Sequence, residues 1–240
     1  MVSFKLSSVI ALALVGSALN VNAAAIGKRC ESFTDTFNSK ADVSQKWGGM
    51  IPSDTYTVNG NGLEMKVLNP KGKSKSGDGP TFISNMVMQY GYVEAKIKAA
   101  PLYGLVTSFI LRAPNGDEID WEWVGPTAQT AYYYHGIEDY NTGDSIVISD
   151  ESTNYHTYGI DWQPDYITWY VDGAVHRTVT KASTNENGVD HYPTEAAHVE
   201  LGLWDASFNA STAAWAYGPI DWAQQPAYIS AYVEYVKVSC

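Results

Sequence analysis

A short acidic stretch, NGDEIDWEWVG at residues 115–125, stands out in a chain that carries few charges. Charged side chains make up 17% of the 240 residues, yet four carboxylates fall between Asp117 and Glu122. Alternate side chains of a β-strand point to opposite faces, so Glu118, Asp120 and Glu122 are predicted to share one face. Carboxylates in a row raise one another's proton affinity, and a purely structural strand has no reason to carry that cost. The stretch therefore indicates acid–base chemistry.

The reaction that uses two such carboxyl groups is glycoside hydrolysis, in which one is the nucleophile and the other serves as acid and then base. A retaining enzyme holds these groups about 5–5.5 Å apart, whereas the Cα atoms of Glu118 and Glu122 would lie roughly 13 Å apart along a strand. The two side chains can therefore cooperate only if they converge on a strongly bent strand. Asp120 lies between them and can hydrogen-bond one neighbour, which keeps the two glutamates in different charge states. The spacing alone leaves open which glutamate is the nucleophile.

The elements that must position these residues are predicted to be strands. Most of the chain consists of short segments rich in β-branched and aromatic residues, separated by turn signals such as APNGD and WQPDY. These segments are residues 90–100, 104–113, 117–125, 130–137, 155–162, 166–173, 199–205 and 227–239. Beyond the first residues no window shows a helical period, and residues 69–80, rich in Lys, Gly and Ser, are interpreted as a surface loop. Many short strands at roughly 8–12 residue spacing predict an all-β sandwich or barrel.

The amino-terminal residues 1–24 predict a signal peptide, because a lysine precedes an apolar run and small residues follow it. The run is shorter than the roughly 20 apolar residues that span a bilayer. Lys28 and Arg29 suit a dibasic processing protease, which would leave Cys30 at the new terminus; two solvated basic residues are the alternative interpretation. We expect a secreted, extracellular protein in which residues 30–240 form a single domain.

Cys30 and Cys240 are the two cysteines of the chain and are predicted to form a disulfide in an oxidising compartment. Closing so long a loop would remove on the order of 4–5 kcal/mol of unfolded-state entropy, and it requires the two ends of the domain to meet. Neither cysteine lies in a CxxC motif or a Cys/His cluster, and the five histidines share no spacing. We therefore expect no metal site and no cofactor.

The composition narrows the class of ligand. A net charge of −11 disfavours nucleic acid and an anionic membrane as partners. The 17 tyrosines and 8 tryptophans suit a polar but uncharged ligand such as a sugar, whose C–H faces stack on aromatic rings while its hydroxyl groups form hydrogen bonds. The expected partners are a polysaccharide substrate and an oligosaccharide acceptor, bound by a monomer.

A family resemblance rests on these motifs. DEIDWEWVG resembles the E-x-D-x-E signature of family 16 glycoside hydrolases, residues 155–178 resemble the family's long downstream hairpin, and LGLWDAS with GPIDW resembles its late cleft strand. Within the family, GDEIDWEWVG and AQTAYYY are most similar to fungal cell-wall Crh-type transglycosylases, and less so to plant xyloglucan endotransglycosylases.

This resemblance implies a concanavalin-like β-jelly roll, in which two packed antiparallel sheets form a concave substrate cleft. It implies Glu118 as nucleophile, Asp120 as its electrostatic assistant and Glu122 as acid/base. It also implies an asparagine where this chain has Ala131, so one substrate hydrogen bond is expected to be absent or supplied elsewhere. Some members of the family bind a structural calcium ion, for which this sequence suggests no ligands.

Three further residues are candidates for substrate binding in the cleft. Trp204 alternates with leucines and, together with the resemblance, is predicted to stack a sugar ring, with a core tryptophan as the alternative. Gln129 and Tyr133 share a face of the strand expected beside the catalytic one, in a register that a one-residue slip would exchange. Glu200 is interpreted as a solvated charge on the face of Trp204. Asn209 begins an N-A-S sequon and is a candidate glycosylation site.

Together these features predict a secreted retaining β-glycosidase or transglycosylase that acts on cell-wall β-glucan, with or without chitin oligosaccharides as acceptor. The first rival is an endo-β-1,3(4)-glucanase that only hydrolyses, which shares every catalytic residue and differs in the acceptor. The second rival is a carbohydrate-binding lectin of the same fold, which has no use for a paired nucleophile and acid.

Overall fold

The computed structural model describes residues 30, 32–72, 74–125, 127–137 and 139–240. The predicted signal peptide at residues 1–24 and the basic pair at 28–29 lie outside these residues. The described strands are β1 (Phe33–Asp35), β2 (Trp47–Met50), β3 (Tyr56–Val58), β4 (Leu63–Leu68), β5 (Thr81–Met88), β6 (Gly91–Lys98), β7 (Leu105–Arg112), β8 (Glu118–Val124), β9 (Thr127–Tyr133), β10 (Asp144–Val147), β11 (His156–Trp162), β12 (Tyr166–Val171), β13 (Ala174–Thr180), β14 (Asn185–Glu186), β15 (Val189–Asp190), β16 (Ala197–Asp205) and β17 (Tyr228–Ser239). The helices are α1 (Lys40–Lys46) and α2 (Ala210–Trp215), with 3₁₀-helices at Tyr140–Thr142, Lys181–Thr184, Ala206–Phe208 and Trp222–Gln224.

The strands build two large antiparallel sheets, which confirms the predicted all-β sandwich. The β8 sheet has the strand order β10-β9-β8-β7-β16-β5-β2. The β17 sheet has the order β13-β12-β11-β6-β17-β4-β3, and β1 pairs with the end of β17 beyond β4. Strands β14 and β15 form a separate two-stranded sheet.

The packing of the two sheets follows the alternation of apolar residues. In β4 buried and partly exposed residues alternate strictly, so one face of the β17 sheet packs inward and the other meets solvent. In β8, Ile119, Trp121 and Trp123 are at most 1% exposed and belong to the main core. Trp121 also donates a hydrogen bond across the core to the carbonyl of Gly159 at 3.1 Å. The acids that alternate with these core residues therefore lie on the outer face of the β8 sheet.

The centre of that outer face is recessed. β7 lies between β8 and β16, and its outward residues Val106, Ser108 and Ile110 are at most 6% exposed. A sheet with one face in water normally alternates buried and exposed residues, yet β7 is buried at every residue from Leu105 to Leu111. The surrounding strands and loops thus enclose this face as the floor of a cleft.

The predicted disulfide is confirmed, because Cys30 and Cys240 are bonded with their Cα atoms 5.8 Å apart. β1 supports the bond by pairing Phe33 with Val238 near the end of β17. The backbone N–H of Cys240 also donates to Ser32 Oγ at 3.0 Å. The two ends of the domain therefore meet in the same sheet, as the disulfide requires.

Two short helices, α1 and α2, occur although no window of the sequence shows a helical period. α1 buries a single side chain, Val43, so its seven residues show too little periodicity to indicate a helix. Its start is nevertheless marked by Ser39, which caps the backbone N–H of Asp42 at 3.1 Å.

The predicted surface loop at residues 69–80 returns to the core at Gly77, whose N–H donates to the buried Asp205 at 2.7 Å. Among the described residues, no helix is long and apolar enough to cross a membrane.

Candidate active site

The three acids of β8 lie in the recess, and each is flanked by one residue of β7 and one of β9. The pairs are Glu118 with Arg112 and Tyr133, Asp120 with Ile110 and Ala131, and Glu122 with Ser108 and Gln129. These pairs form three successive rows across the floor of the cleft. Gln129 and Tyr133 thus share the face of the acids, one beside Glu122 and the other beside Glu118.

Arg112 provides a positive charge next to the acids. Its Nη2 atom donates to Glu118 Oε1 at 2.8 Å, and its Nε atom lies 3.5 Å from Glu200 Oε2 on β16. The side chains of Glu118 and Glu200 are 14% and 13% exposed, so both carboxylates are largely withdrawn from water. The interpretation of Glu200 as a solvated charge was therefore wrong, because the carboxylate turns into the cleft and pairs with Arg112.

Burial and mutual repulsion raise the proton affinities of the three acids. Burial, together with the nearby charge of Glu118, raises the pKa of Glu122 from its ordinary value of 4.5 to about 8. Burial and then the charges of Glu118 and Glu122 raise the pKa of Asp120 well above its ordinary range. Burial also raises the pKa of Glu118, but Arg112 and a hydrogen bond with Asp120 oppose that rise. Because Arg112 contacts Glu118 directly, the ionised form is favoured more in Glu118 than in Glu122 and Asp120.

Asp120 is fixed at the centre of the row. The residue is 1% exposed, and its backbone carbonyl accepts a hydrogen bond from Trp169 Nε1 at 2.9 Å. Its carboxyl group hydrogen-bonds that of Glu118, whereas its Oδ1 atom has no partner among the described residues. The neighbouring Ala131 brings no polar side chain to this row. Asp120 thus keeps hydrogen-bonding capacity in the cleft, which points to chemistry more than to stability.

Aromatic residues flank the Glu122 end of the row. The ring of Trp204 on β16 stacks on that of Trp215 on α2, with 6.0 Å between centroids and 23° between planes. Both rings pack against a small apolar cluster around Val106, which is separate from the main core. Trp215 Nε1 donates to Gln129 Oε1 at 3.1 Å. The two rings and the amide therefore form one continuous surface beside Glu122.

Comparison with known proteins relates this site to a family of sugar-cleaving enzymes. Residues 41–224 match the model of glycosyl hydrolases family 16. The chain belongs to this family.

The relatives of this family 16 chain include a Crh-like protein and a Congo red hypersensitive protein. Crh-like protein 3 of Botryotinia fuckeliana is 38% identical over 225 residues, which cover 88% of the chain and 51% of that protein. Congo red hypersensitive protein 2 of Saccharomyces cerevisiae is 38% identical over 178 residues, which cover 69% of the chain and 38% of that protein. The chain therefore spans about half the length, or less, of these two relatives.

Solved structures of similar proteins agree with the jelly-roll fold. The Crh5 transglycosylase in complex with NAG superposes with a TM-score of 0.74 at 28% identity, covering 88% of the family 16 chain and 84% of that structure. The Bacillus licheniformis β-glucanase superposes with a TM-score of 0.72 over 89% of the chain and all of that structure. Its 23% identity shows a shared fold alone.

Several residues of the family 16 site were not indicated by the sequence. Ser108 and Arg112 share a face of β7, but their place beside the acids depends on strand pairing that no local pattern reveals. Gly202 pairs with Ser108, and a Cβ atom at this position would clash with Ser108 Oγ. Trp215 was missed because it lies on the short helix α2, which has no periodic signal. The strand period thus identified the acids but not their partners.

Two other predictions concern residues outside the row of acids. Asn209 caps α2, since its Oδ1 accepts from the N–H of Thr212 and the hydroxyl of Ser211, each at 2.8 Å. The cap uses the side-chain oxygen, whereas a glycan would attach to the side-chain nitrogen. The cap therefore does not test glycosylation at Asn209, which stays a prediction. In the part of the chain that the structure describes, no group of three or more His, Cys, Asp or Glu side chains is arranged to hold a metal ion.

Proposed function

We propose that this family 16 chain is a retaining β-glycosidase and transglycosylase that cleaves cell-wall β-glucan and transfers the product to a β-glucan or chitin oligosaccharide. One observation carries the proposal: Glu118 and Glu122 share a cleft face but have different electrostatic surroundings. Glu118 contacts Arg112 at 2.8 Å, whereas Glu122 has a pKa of about 8. An ionised and a protonated carboxyl group on one sugar-binding face are what retaining cleavage requires.

In the proposed mechanism, the Glu118 carboxylate attacks the anomeric carbon while the bond to the leaving-group oxygen breaks. Glu122 donates its proton to that oxygen, and the leaving sugar departs with a free hydroxyl group. The remaining glycosyl group is held as an ester on Glu118. An acceptor hydroxyl then attacks the same carbon, Glu122 accepts its proton, and Glu118 leaves as a carboxylate. Two inversions at one carbon retain its configuration.

Asp120 assists both steps in this proposal. Its proton hydrogen-bonds Glu118 while that residue is ionised, because the pKa of Asp120 lies well above its ordinary range. When the ester forms, Glu118 loses its charge, and the electrostatic cause that held the proton on Asp120 weakens. Asp120 is then free to change partners as Glu122 becomes a base. The three carboxyl groups thus share protons as one unit.

Trp204, Gln129 and Tyr133 are proposed to bind sugar, together with Trp215. Trp204 and Trp215 present stacked rings beside Gln129, and such a surface holds the apolar face of a pyranose better than it holds water. A bound sugar acceptor would therefore intercept the ester before hydrolysis. The Crh5 transglycosylase, solved in complex with NAG, supports both transfer and an N-acetylated sugar ligand.

The disulfide supports a secreted location, since such bonds persist in oxidising compartments. In this proposal residues 30–240 act as a single catalytic domain and as a monomer, with polysaccharide as donor and oligosaccharide as acceptor. The resemblance of GDEIDWEWVG and AQTAYYY to cell-wall Crh-type transglycosylases supports a site of action at the cell wall.

The proposal is tested by incubating the purified protein with laminarin or soluble chitin as donor and a fluorescent oligosaccharide as acceptor, and by following the size of the label. Glu118→Gln is the test variant. Glu64→Gln on β4 is the matched control, because the Glu64 side chain is 15% exposed and that of Glu118 is 14% exposed. We expect labelled products to grow with the wild type and the control. Glu118→Gln should lower that rate at least about 1,000-fold.

Other outcomes of this assay would change the assignment. Shortening of the donor without label transfer would make the chain an endo-β-1,3(4)-glucanase. No change of several β-glucans, with binding retained, would make it a lectin and refute the proposal. Full activity of Glu118→Gln would remove Glu118 from the mechanism.

A further inference from the structure

Arg112 lies among the carboxylates of the cleft and takes no part in the steps proposed above. It contacts Glu118 through Nη2 at 2.8 Å and faces Glu200 through Nε at 3.5 Å. Within the described part of the chain, no other Lys or Arg forms an ion pair with Glu118, Asp120, Glu122 or Glu200. Arg112 therefore joins β8 to β16 from the strand between them.

The shape of the guanidinium group makes this bridge specific. A guanidinium is a planar fork that can bind carboxylates at more than one edge. Here one carboxylate lies at Nη2 and a second lies on the Nε side, so rotation of the plane is limited from both sides. A lysine would supply the charge at a single point and could not hold both partners.

We propose that Arg112, anchored by Glu200, is a positioning residue that fixes Oε1 of Glu118 and thereby the orientation in which this carboxylate meets the anomeric carbon. The proposal rests on the nucleophilic role of Glu118. Glu200 also compensates the positive charge of Arg112. Glu118 therefore stays ionised, but the cation beside it is itself neutralised by a second carboxylate. The pair thus sets both the geometry and the charge of the nucleophile.

The charges around Glu118 determine the sign of each expected effect. The titratable or charged groups that share the outer face of the sheet around Glu118 are Asp120 and Glu122 on β8, Arg112 on β7, Tyr133 on β9, and Glu200 and His198 on β16. Burial raises the pKa of Glu118 and Arg112 opposes that rise, so removal of Arg112 raises the pKa further. The charge of Glu118 raises the pKa of Glu200. Because this repulsion is mutual, we expect removal of the Glu200 charge to lower the pKa of Glu118. The two substitutions therefore act in opposite directions.

The kinetic test compares Arg112→Met and Glu200→Gln with the wild type over a range of pH. Arg112→Met should lower kcat about 100-fold with KM within about twofold, since a nucleophile misplaced by about 1 Å loses this much. The acidic limb of its kcat/KM profile, where the nucleophile ionises, should move to higher pH. Glu200→Gln should lower kcat less, and its acidic limb should move to lower pH.

Two further variants separate positioning from charge and from stability. Arg112→Lys keeps the charge, so its acidic limb should stay near that of the wild type while kcat remains about tenfold low. Lys96→Met is the matched control on the other sheet, because Lys96 is 33% exposed, Arg112 is 34% exposed, and each has a carboxylate at 2.8 Å. The control should retain the kcat and the pH profile of the wild type.

Titration of the Glu118 carboxyl group by ¹³C NMR gives a second measurement that needs no turnover, with Glu118→Gln used to assign the signal. Its pKa should rise in Arg112→Met and fall in Glu200→Gln. If these opposed pKa shifts are observed but the chain neither transfers nor hydrolyses sugars, the contact of Arg112 with Glu118 and Glu200 is upheld. The proposed function is then refuted. Unmoved titrations, a raised KM at normal kcat, or an equal loss of kcat in Lys96→Met would overturn the positioning role while leaving the proposed function intact.

Discussion

Glu64 and Glu122 lie on the outer faces of the two sheets and have opposite surroundings. Burial raises the pKa of Glu64, but hydrogen bonds from Thr57 at 2.6 Å and Ser230 at 2.8 Å, with Lys66 at 3.4 Å, outweigh it and lower the pKa. Glu122 has two other acids on its own strand and, among the described residues, no ion pair. Its pKa rises to about 8.

The contrast separates a carboxylate that stabilises the fold from one whose ionised form is disfavoured and which is available for chemistry. On the β17 sheet, Glu94 likewise has donors on two sides, since it accepts from Tyr92 at 3.0 Å and Tyr235 at 3.2 Å. On the β8 sheet, four acids share Arg112. An arrangement that weakens the ionised state of a buried acid has no structural benefit, and this difference points to the β8 face as the functional one.

The largest effect that tests this contrast is expected for Glu122→Gln. Loss of proton donation should lower kcat on polysaccharide by about 10²–10⁴-fold. A donor with a 2,4-dinitrophenyl leaving group needs no proton, so the burst of phenolate that accompanies ester formation should stay near the wild-type rate. The wild-type profile should also fall above about pH 8, where Glu122 loses its proton, and Glu122→Gln should lack that limb. Equal losses on both donors would show that Glu122 is not the acid.

A smaller effect is expected from the aromatic surface. Trp204→Ala should lower the ratio of transfer to hydrolysis about tenfold, because the acceptor sugar loses its stacking partner while water does not. The ratio is measured from labelled products and reducing ends in one reaction. Tyr228→Ala on β17 is the control, since its ring is 45% exposed on the opposite face of the molecule. A ratio that falls equally in both variants would remove Trp204 from the acceptor site.

The smallest effect is a pH-dependent change in the free energy of unfolding, which is expected to have opposite signs for Glu122→Gln and Glu64→Gln. The pKa of Glu122 is higher in the folded chain than its ordinary value of 4.5. The bound proton therefore contributes fully to the free energy of unfolding below pH 4.5, and this contribution is lost as the pH rises through about 8. Glu122→Gln should therefore be more stable than the wild type at about pH 8, by roughly 1–3 kcal/mol, and not at about pH 4. Urea unfolding at both pH values measures this difference.

Glu64→Gln should show the reverse dependence in the same measurement. The folded pKa of Glu64 is lowered, so its contribution is present above 4.5 and is lost as the pH falls through the folded pKa. The variant should be less stable than the wild type at neutral pH and equal to it in acid. The same sign for both variants would contradict the distinction between the two faces.

Local periodicity accounts for the parts of the site that could be predicted. Alternation in β8 places Glu118, Asp120 and Glu122 opposite Trp121 and Trp123, and this depends only on neighbouring residues. The alternation of β9 places Gln129 and Tyr133 on one face for the same reason. Short helices escaped prediction because a single buried residue, such as Val43 in α1, gives no period.

The amino-acid sequence by itself indicated the strands β6–β9, β11, β12, β16 and β17, the face on which the acids lie, and the cysteines available for a disulfide. The tertiary structure decided which residues meet these acids. Arg112 and Glu200 reach Glu118 from β7 and β16, and Trp215 reaches Gln129 from α2. Such contacts depend on the pairing of strands that are distant in sequence, and no local pattern specifies that pairing. The charge state of each acid follows from these long-range partners, because burial and neighbouring charges set a pKa.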